Sequence, residues 1–262
     1  MNLNLKDKVV IVTGAAKGIG KAIAVELAKE GAIPVIVGRK QTDNKIVEDE
    51  IIALGGKAFS VEAELSNPAD CKNAVAETLK AFGRIDGLVN NAGHNDGVGL
   101  ASGNYEAFVA SLHKNLIHYY LMAHHALDAL KLAKGSIVNI SSKTAETGQG
   151  NTSAYAASNG GRNALTREWA VELLPFGIRV NAIIVAECAT PQYDSWISTL
   201  DNPEETLRKI TDRIPLEHRM TTAEEIANTT LFLLSNKSSH TTGQLIHVDG
   251  GYVHLDRSLI KE

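Results

Sequence analysis

Short apolar runs alternate along the chain with longer segments whose apolar residues recur every three or four positions. The short runs are rich in β-branched residues and predict strands, and the longer segments predict amphipathic helices. The predicted strands are Val9–Val12, Ile33–Val37, Lys57–Val61, Gly87–Asn90, Ser136–Ile140, Arg179–Ile184 and Gln244–Val248. The predicted helices are Ile19–Glu30, Asn44–Leu54, Pro68–Phe82, Tyr105–Leu132, Ala154–Leu174 and Thr222–Leu234. Such alternation indicates an α/β fold whose parallel strands are joined by helical crossovers.

One long stretch, Ala186–Met220, breaks this alternation. It contains three prolines and two weakly helical patches, Gln192–Ser198 and Glu204–Asp212. A long irregular insertion in a compact domain is usually functional. We therefore expect a substrate loop at about residues 186–220.

Composition narrows the class of protein. The 262 residues are 44% hydrophobic and 21% charged, which excludes a disordered chain. The formal net charge of −4 argues against general binding of nucleic acids or anionic membranes. Cys71 and Cys188 are far apart and predict free thiols in a reducing compartment. Since neither a signal peptide nor an apolar run of ~18 residues is present, we expect one soluble cytoplasmic domain over residues 1–262.

The turn after the first strand predicts a dinucleotide site. It has the sequence TGAAKGIG, with Gly14, Gly18 and Gly20 at the turn and Ile19 opening the next helix. Glycines here allow a sharp turn, close approach of a phosphate and tight packing of the helix on the strand. The helix N-terminus then offers free N–H groups to a pyrophosphate.

The end of the second strand indicates which dinucleotide is bound. A site that prefers NAD usually has an acidic residue here for the ribose 2′-hydroxyl. This chain instead has Gly38 followed by Arg39, and Lys17 lies in the first turn. Two cations suit a 2′-phosphate, so we expect NADP(H) to be preferred. NAD(H) is the alternative, because Asp43 could serve the ribose.

Four motifs in order and at matching spacing, TGAAKGIG, NNAG, NISS and the segment around Tyr155, resemble the short-chain dehydrogenase/reductase family over essentially the whole chain. The resemblance implies a single-domain Rossmann fold with a doubly wound, seven-stranded parallel sheet, and commonly a homotetramer. It also implies that Asn91, Ala92 and Gly93 line the cofactor site and that Asn90 supports the sheet.

The resemblance also implies catalytic roles. Tyr155 matches the acid/base, Ser142 the substrate-orienting serine, and Asn115 the asparagine that holds a water in a proton relay. Glu64 lies near the position of an aspartate that accompanies the adenine. A tyrosine side chain normally has a pKa of ~10, so it needs a nearby positive charge to act as a base.

In the family that charge is a lysine four residues after the tyrosine, which also binds the nicotinamide ribose. Here position 159 is Asn159, which fits the cofactor site but carries no charge. Lys143 is a weak substitute, because neighbouring residues at a strand end point in different directions. We therefore expect slow turnover and restoration of activity by Asn159→Lys.

A second departure concerns the substrate. Where the family often has Pro-Gly after the sixth strand, this chain has Glu187. The segment resembles L-fucose dehydrogenase-like sugar dehydrogenases, as do residues 91–99 and Tyr252–Arg257. Polar side chains follow several strands and suit a polyol. The candidate substrate residues are Asn95, Asp96, Ser142, Glu146, Gln149, Tyr155 and Glu187.

These patterns predict an enzyme that oxidises the anomeric hydroxyl of a free aldose such as L-fucose to its lactone. One alternative is a reductase of a small ketone or an acyl-carrier substrate. The other is a nucleotide-binding protein that no longer catalyses. We expect no bound metal, because the histidines of the fourth helix lack acidic partners at a ligand spacing.

Overall fold

A computed structural model describes residues 2–255. Its core is one seven-stranded sheet in the order β3-β2-β1-β4-β5-β6-β7, with every neighbouring pair parallel. The strands are β1 (Val9–Thr13), β2 (Ile33–Gly38), β3 (Phe59–Glu62), β4 (Gly87–Asn90), β5 (Ser136–Ser142), β6 (Arg179–Val185) and β7 (Leu245–Val248). This confirms the predicted doubly wound fold, with strand limits within about two residues of those expected.

Helices cover both faces of the sheet. They are α1 (Gly18–Lys29), α2 (Gln41–Ala53), α3 (Pro68–Phe82), α4 (Tyr105–Leu112), α5 (His118–Ala133), α6 (Ser153–Glu172), α7 (Pro191–Ile197), α8 (Pro203–Thr211) and α9 (Ala223–Leu234). Side chains of β1 alternate between two hydrophobic clusters. Val9 and Ile11 pack with α3, α5 and α6, whereas Val10 and Val12 pack with α1, α2 and α9.

The predicted fourth helix contains a π-helical turn. A π-helical turn, His113–Ile117, separates α4 from α5 and contains Asn115. Apolar periodicity cannot reveal one extra residue within a turn, and such insertions are frequent at functional sites. Helical backbone thus extends from Tyr105 to Ala133 as predicted, and the π turn within it was not predicted.

The sheet topology determines where a ligand can bind. The strand order reverses between β1 and β4, and in open α/β sheets ligands bind at the carboxyl ends of the strands beside such a reversal. The stretch 186–220 lies at this edge and contains α7 and α8, close to the two helical patches predicted. Its ends are joined by hydrogen bonds of Thr221 with Glu187 and Ala189. No helix in the described part of the chain is long and apolar enough to cross a membrane.

Candidate active site

The turn between β1 and α1 requires glycine. Gly14 has φ +66° and Gly18 φ +58°, which is the left-handed region that favours glycine. A Cβ at Gly20 would lie 2.4 Å from the carbonyl oxygen of Gly14 and 2.6 Å from the side-chain nitrogen of Asn91. Side chains at these positions would strain or block the turn that the glycine spacing predicts.

Helix α1 has an open N-terminus. Its N-cap residue, Lys17, makes no capping hydrogen bond, and its first turn, which includes Ile19, has no acidic side chain. The first N–H groups of a helix have no intrahelical acceptors and carry the positive end of the helix dipole. The residues present therefore fit the pyrophosphate of a dinucleotide.

Packing disfavours an acidic side chain at the end of β2. A Cβ at Gly38 would lie 2.3 Å from Oδ1 of Asn44, which is buried and donates to the carbonyls of Gly38 and Val61. Beside this glycine, Lys17 and Arg39 are both exposed, and neither has an ion-pair partner within residues 2–255. The site thus offers two available positive charges near the predicted ribose position.

Glu64, just beyond β3, lies within electrostatic reach of Arg39. Burial alone would raise the pKa of Glu64, but hydrogen bonds from Ser66 and the positive charge of Arg39 outweigh it and lower the pKa. The Ser66 hydroxyl donates to Oε1 at 2.8 Å. Glu64 is therefore an ionised acceptor, and its place beside adenine stays a prediction.

The NNAG segment ties β4 to its neighbours. The Asn90 amide donates to Oδ1 of Asn139 at 3.1 Å and to the carbonyl of Tyr119. The Asn91 amide donates to the carbonyl of Thr13 at 2.8 Å, and the backbone N–H groups of Asn91 and Ala92 both donate to the Thr13 hydroxyl. These bonds fix the segment against the glycine turn.

Asn115 is fully buried in the π turn. Its Oδ1 accepts from the His94 N–H at 2.8 Å, and its amide donates to the Ser111 hydroxyl at 3.3 Å. Its carbonyl accepts from Nε of Arg162 at 2.6 Å. Asn115 therefore joins the loop after β4 to α6, and its role in holding a water stays a prediction.

Ser142 and Tyr155 lie at the end of β5 and near the start of α6. The Ser142 hydroxyl accepts from the Thr144 N–H at 3.3 Å. Tyr155 is half-buried, and its hydroxyl has no hydrogen-bond partner within the described residues. Both hydroxyls can therefore donate to an incoming substrate.

Asn159 is fully buried one turn after Tyr155. Its amide donates to the Tyr155 carbonyl at 2.8 Å, and its Oδ1 accepts from Nη1 of Arg162 at 2.9 Å. The amide group is thus engaged by its own helix and by a cation that the sequence did not single out. The spacing of positions 155, 159 and 162, which puts all three on one helix face, could have revealed Arg162.

A buried ion pair lies beside Ser142. Lys143 follows β5 and Glu187 follows β6, two strands paired with Ser142 opposite Val185. The Lys143 ammonium binds the Glu187 carboxylate, and these side chains are 8% and 12% exposed. The Tyr193 hydroxyl donates to Oε2 of Glu187 at 2.7 Å. We call Lys143, Glu187 and Tyr193 the polar cluster.

The polar cluster includes two further electrostatic features. The Lys143 ammonium lies 4.1 Å from the centroid of the Tyr252 ring. Burial and the negative charge of Glu187 raise the pKa of Tyr193, so that its hydroxyl stays a donor. Lys143 is therefore occupied by Glu187 and Tyr252 and is not a free cation for Tyr155.

Of the other predicted substrate residues, Asp96 has a contact near Asn115, whereas Asn95 and Gln149 face solvent. Asp96 accepts from the Ser111 hydroxyl at 2.8 Å and so adjoins the residue that binds Asn115. Asn95 and Gln149 are exposed, and the Asn95 side chain accepts from the Gly97 N–H in its own loop. Structure thus brings Asp96 to the site but gives Asn95 a local turn contact.

Glu146 faces a different cavity of about 740 Å³, lined in part by α6 and β7. Its carboxylate is 2.8 Å from Nε2 of His247, and the His247 and His254 rings are 4.3 Å apart. These three residues place ligand atoms within 4.8 Å of one another, an arrangement the sequence did not indicate. Of the predicted terminal segment, Asp256 and Arg257 lie outside the described residues.

Comparison with known sequences gives consistent matches over the full chain. A family model described as Enoyl-(Acyl carrier protein) reductase matches residues 14–253. The 3-oxoacyl-[acyl-carrier-protein] reductase of Thermotoga maritima is 35% identical, covering 96% of this chain and 100% of that protein. Bovine (Bos taurus) L-fucose dehydrogenase is 32% identical (96% and 91%), and Azotobacter vinelandii L-rhamnose 1-dehydrogenase (NAD(P)(+)) is 33% identical (96% and 99%).

Comparison with solved structures gives the same fold. The Cj0485 dehydrogenase is 44% identical with a TM-score of 0.94, and the match covers 100% of both chains. A structure described as an NAD(P)-dependent gluconate 5-dehydrogenase from Beutenbergia cavernae with bound NADP is 33% identical with a TM-score of 0.90. That match covers 97% of this chain and 100% of the other.

Proposed function

Because the chain belongs to the short-chain dehydrogenase/reductase family of oxidoreductases, we propose that it oxidises the anomeric hydroxyl of a free aldose to the lactone. The polar cluster beside Ser142 is the observation that carries this proposal. Its carboxylate, ammonium and phenol lie at the carboxyl ends of β5 and β6. Buried charges of this kind suit a substrate with several hydroxyls and are unfavourable neighbours for an apolar acyl chain.

The proposed chemistry needs a base and a donor on the reacting oxygen. Tyr155 acts in its phenolate form. It takes the proton of the anomeric hydroxyl while a C=O bond forms. The Ser142 hydroxyl donates to the same oxygen and orients it. A bound nicotinamide would supply the acceptor for the hydride of the anomeric carbon. Glu187 and Asp96 would accept hydrogen bonds from other hydroxyls of the sugar.

For the cofactor we infer a preference for NADP(H) over NAD(H). The two exposed cations Lys17 and Arg39 support a 2′-phosphate, and the packing of Asn44 against Gly38 disfavours the carboxylate side chain of an NAD-type site. The related Beutenbergia cavernae structure has NADP bound. We expect Arg39→Gln to raise the KM for NADP⁺ about tenfold and leave that for NAD⁺ nearly unchanged, since it removes a charge-assisted contact.

We also infer that residues 186–220 form the substrate loop, since Glu187 and Tyr193 of the polar cluster belong to it. A cytoplasmic homotetramer is proposed on family grounds. Light scattering coupled to size exclusion measures the subunit number.

The alternative activity is reduction of a 3-oxoacyl carrier substrate. It is favoured by the family model and by the Thermotoga maritima reductase. A third outcome, cofactor binding without catalysis, follows from the absence of a lysine at position 159 and from the slow turnover that this predicts.

A substrate panel separates these functions. Initial rates are measured with NADP⁺ and NAD⁺ on free aldoses, and with NADPH on small ketones and a 3-oxoacyl thioester. We expect aldose oxidation that Tyr155→Phe abolishes. Glu187→Gln should raise the aldose KM about tenfold by losing a charged acceptor, whereas the matched control Glu30→Gln, at the exposed C-terminal end of α1, should not. Turnover confined to the thioester would contradict the proposal, and tight cofactor binding without any turnover would favour the binding protein.

A further inference from the structure

We propose that Arg162 supplies the positive charge beside Tyr155 and that its free Nη2 donates to the nicotinamide ribose. These are the two tasks that a lysine at position 159 performs in related enzymes. The inference rests on the proposed dehydrogenase function for its catalytic half. The proposed contact with the cofactor depends only on the dinucleotide site.

The first observation is position on the helix. Arg162 lies three residues after Asn159 and seven after Tyr155, so all three share one face of α6. Asn159 connects the other two, because its amide donates to the Tyr155 carbonyl and its Oδ1 accepts from Nη1 of Arg162. The centre of the guanidinium lies 5.9 Å from the centroid of the Tyr155 ring. The charge missing at position 159 is thus present less than one turn further along the helix.

The second observation is an uncompensated buried charge. Arg162 is 3% exposed and has no carboxylate partner within residues 2–255. Its Nε donates to the carbonyl of Asn115 and its Nη1 to that of Ile140. Arginine stays charged in proteins, and a buried charge without a counter-ion is costly. Such a cost is expected where the charge serves a function, here stabilisation of an anion that forms during turnover.

Tyr155 is the candidate anion, because the other groups around the Arg162 guanidinium are neutral. From α5, the Tyr119 ring lies 4.3 Å from the guanidinium, but burial raises the pKa of Tyr119 and its hydroxyl donates to the Ile140 carbonyl. His118 is also close, and burial followed by the charge of Arg162 lowers its pKa to about 3, so it is neutral. Asn115 and Ile140 present backbone carbonyls.

The third observation concerns where Nη2 points. This atom is buried and has no hydrogen-bond partner within the described residues. A Cβ built on Gly93 would lie 2.7 Å from Nη2 and 2.7 Å from Oδ1 of Asn115. Nη2 therefore faces the glycine of the NNAG segment, which the resemblance places against the cofactor. An unsatisfied donor at this place fits a ribose hydroxyl, since buried polar groups without partners are rare.

The test compares Arg162→Gln, Arg162→Lys and the double variant Asn159→Lys/Arg162→Gln, with Arg167→Gln as matched control. Arg167 is an exposed arginine on the same helix. Dissociation constants for NADPH come from cofactor fluorescence. The pH dependence of kcat is measured on the best substrate of the panel, and circular dichroism checks folding.

We expect Arg162→Gln to weaken NADPH binding about tenfold, the effect of losing a charged hydrogen bond. Its pH–rate profile should move about one unit to the alkaline side, with kcat at pH 7 reduced at least tenfold. Arg162→Lys and the double variant should recover most of both losses, and Arg167→Gln should change neither. In contrast to the expectation from the sequence, Asn159→Lys alone should bring no gain, because it places two cations together.

Three results would overturn the proposal. One is a folded Arg162→Gln variant with an unchanged dissociation constant and pH profile. Another is a gain in kcat from Asn159→Lys alone, which would show that the absence of a lysine at position 159 limits turnover. If Arg162→Gln does not fold, a folded double variant that lacks restored cofactor binding would count against the idea. Absence of aldose turnover with an intact effect on NADPH binding would refute the sugar dehydrogenase and leave the role of Arg162 in binding.

Discussion

Acidification below pH 6.5 should destabilise the protein through His118. The side chain is 1% exposed, and burial followed by the charge of Arg162 lowers its pKa from 6.5 to about 3. Its Nε2 pairs with the Lys114 carbonyl at 3.0 Å, which opposes the lowering but does not reverse it. The folded state therefore keeps His118 neutral, whereas the unfolded chain takes up a proton as pH falls.

The sign and size of this loss of stability follow from the difference in proton uptake between the folded and unfolded states. A histidine with a lowered folded pKa contributes stability that is complete above pH 6.5 and is lost progressively down to about pH 3. Each pH unit in that window costs about 1.4 kcal/mol, so between pH 8 and pH 5 the free energy of unfolding should fall by about 2 kcal/mol from this group alone.

Urea unfolding at pH 8 and pH 5 measures this loss in the wild type, in His118→Gln and in the matched control His240→Gln, where the histidine is exposed. Glutamine can still donate to the Lys114 carbonyl and carries no titrating ring. We expect the wild type and the control to lose about 2 kcal/mol more than His118→Gln. Equal losses in all three proteins, at matched concentration and with two-state transitions, would refute the reasoning.

Further predictions concern single residues. Thr222→Ala removes the capping box that Thr222 forms at the start of α9 and should cost about 1 kcal/mol, or about 2–4 °C in Tm, measured by thermal unfolding. Gly160→Ala adds a Cβ that meets nothing within 4 Å and should raise stability by about 0.5–1 kcal/mol, whereas Gly20→Ala should lower both Tm and NADPH affinity; the opposite ranking would contradict the geometry. Burial, aided by nearby negative charge, raises the pKa of Cys71 to about 11 and of Cys188 to about 12. Both thiols should therefore react slowly with an aromatic disulfide reagent at pH 8 and rapidly in denaturant, and fast reaction of the native protein would exclude the buried placement.

The π turn shows one limit of prediction from sequence. Apolar spacing located the fourth helix and the structure placed Asn115 within it, yet the turn His113–Ile117 has no signal in the spacing. Within this turn the Asn115 carbonyl accepts a hydrogen bond from the Arg162 guanidinium, a tertiary contact that apolar spacing does not reveal.

Lys143 shows a second limit. Neighbouring residues at a strand end point in different directions, but this local geometry does not determine the partner of the Lys143 ammonium. The partner is Glu187, which is far along the chain but follows the neighbouring strand of the sheet. Once parallel pairing of β5 and β6 is established, the two side chains meet at one edge.

The sequence by itself determined the order of strands and helices, the glycine turn, the absence of an acidic residue at position 38 and the positions of Ser142 and Tyr155. These features depend on residues close together in the chain, whose periodicity and conformational freedom are local properties. Only the tertiary structure decided that Arg162 meets Asn115, Ile140 and Gly93, since they come from four separate segments. Local spacing showed a missing charge at position 159 and placed Arg162 on the same helix face, whereas packing against Asn115 and Ile140 decided the direction of its guanidinium.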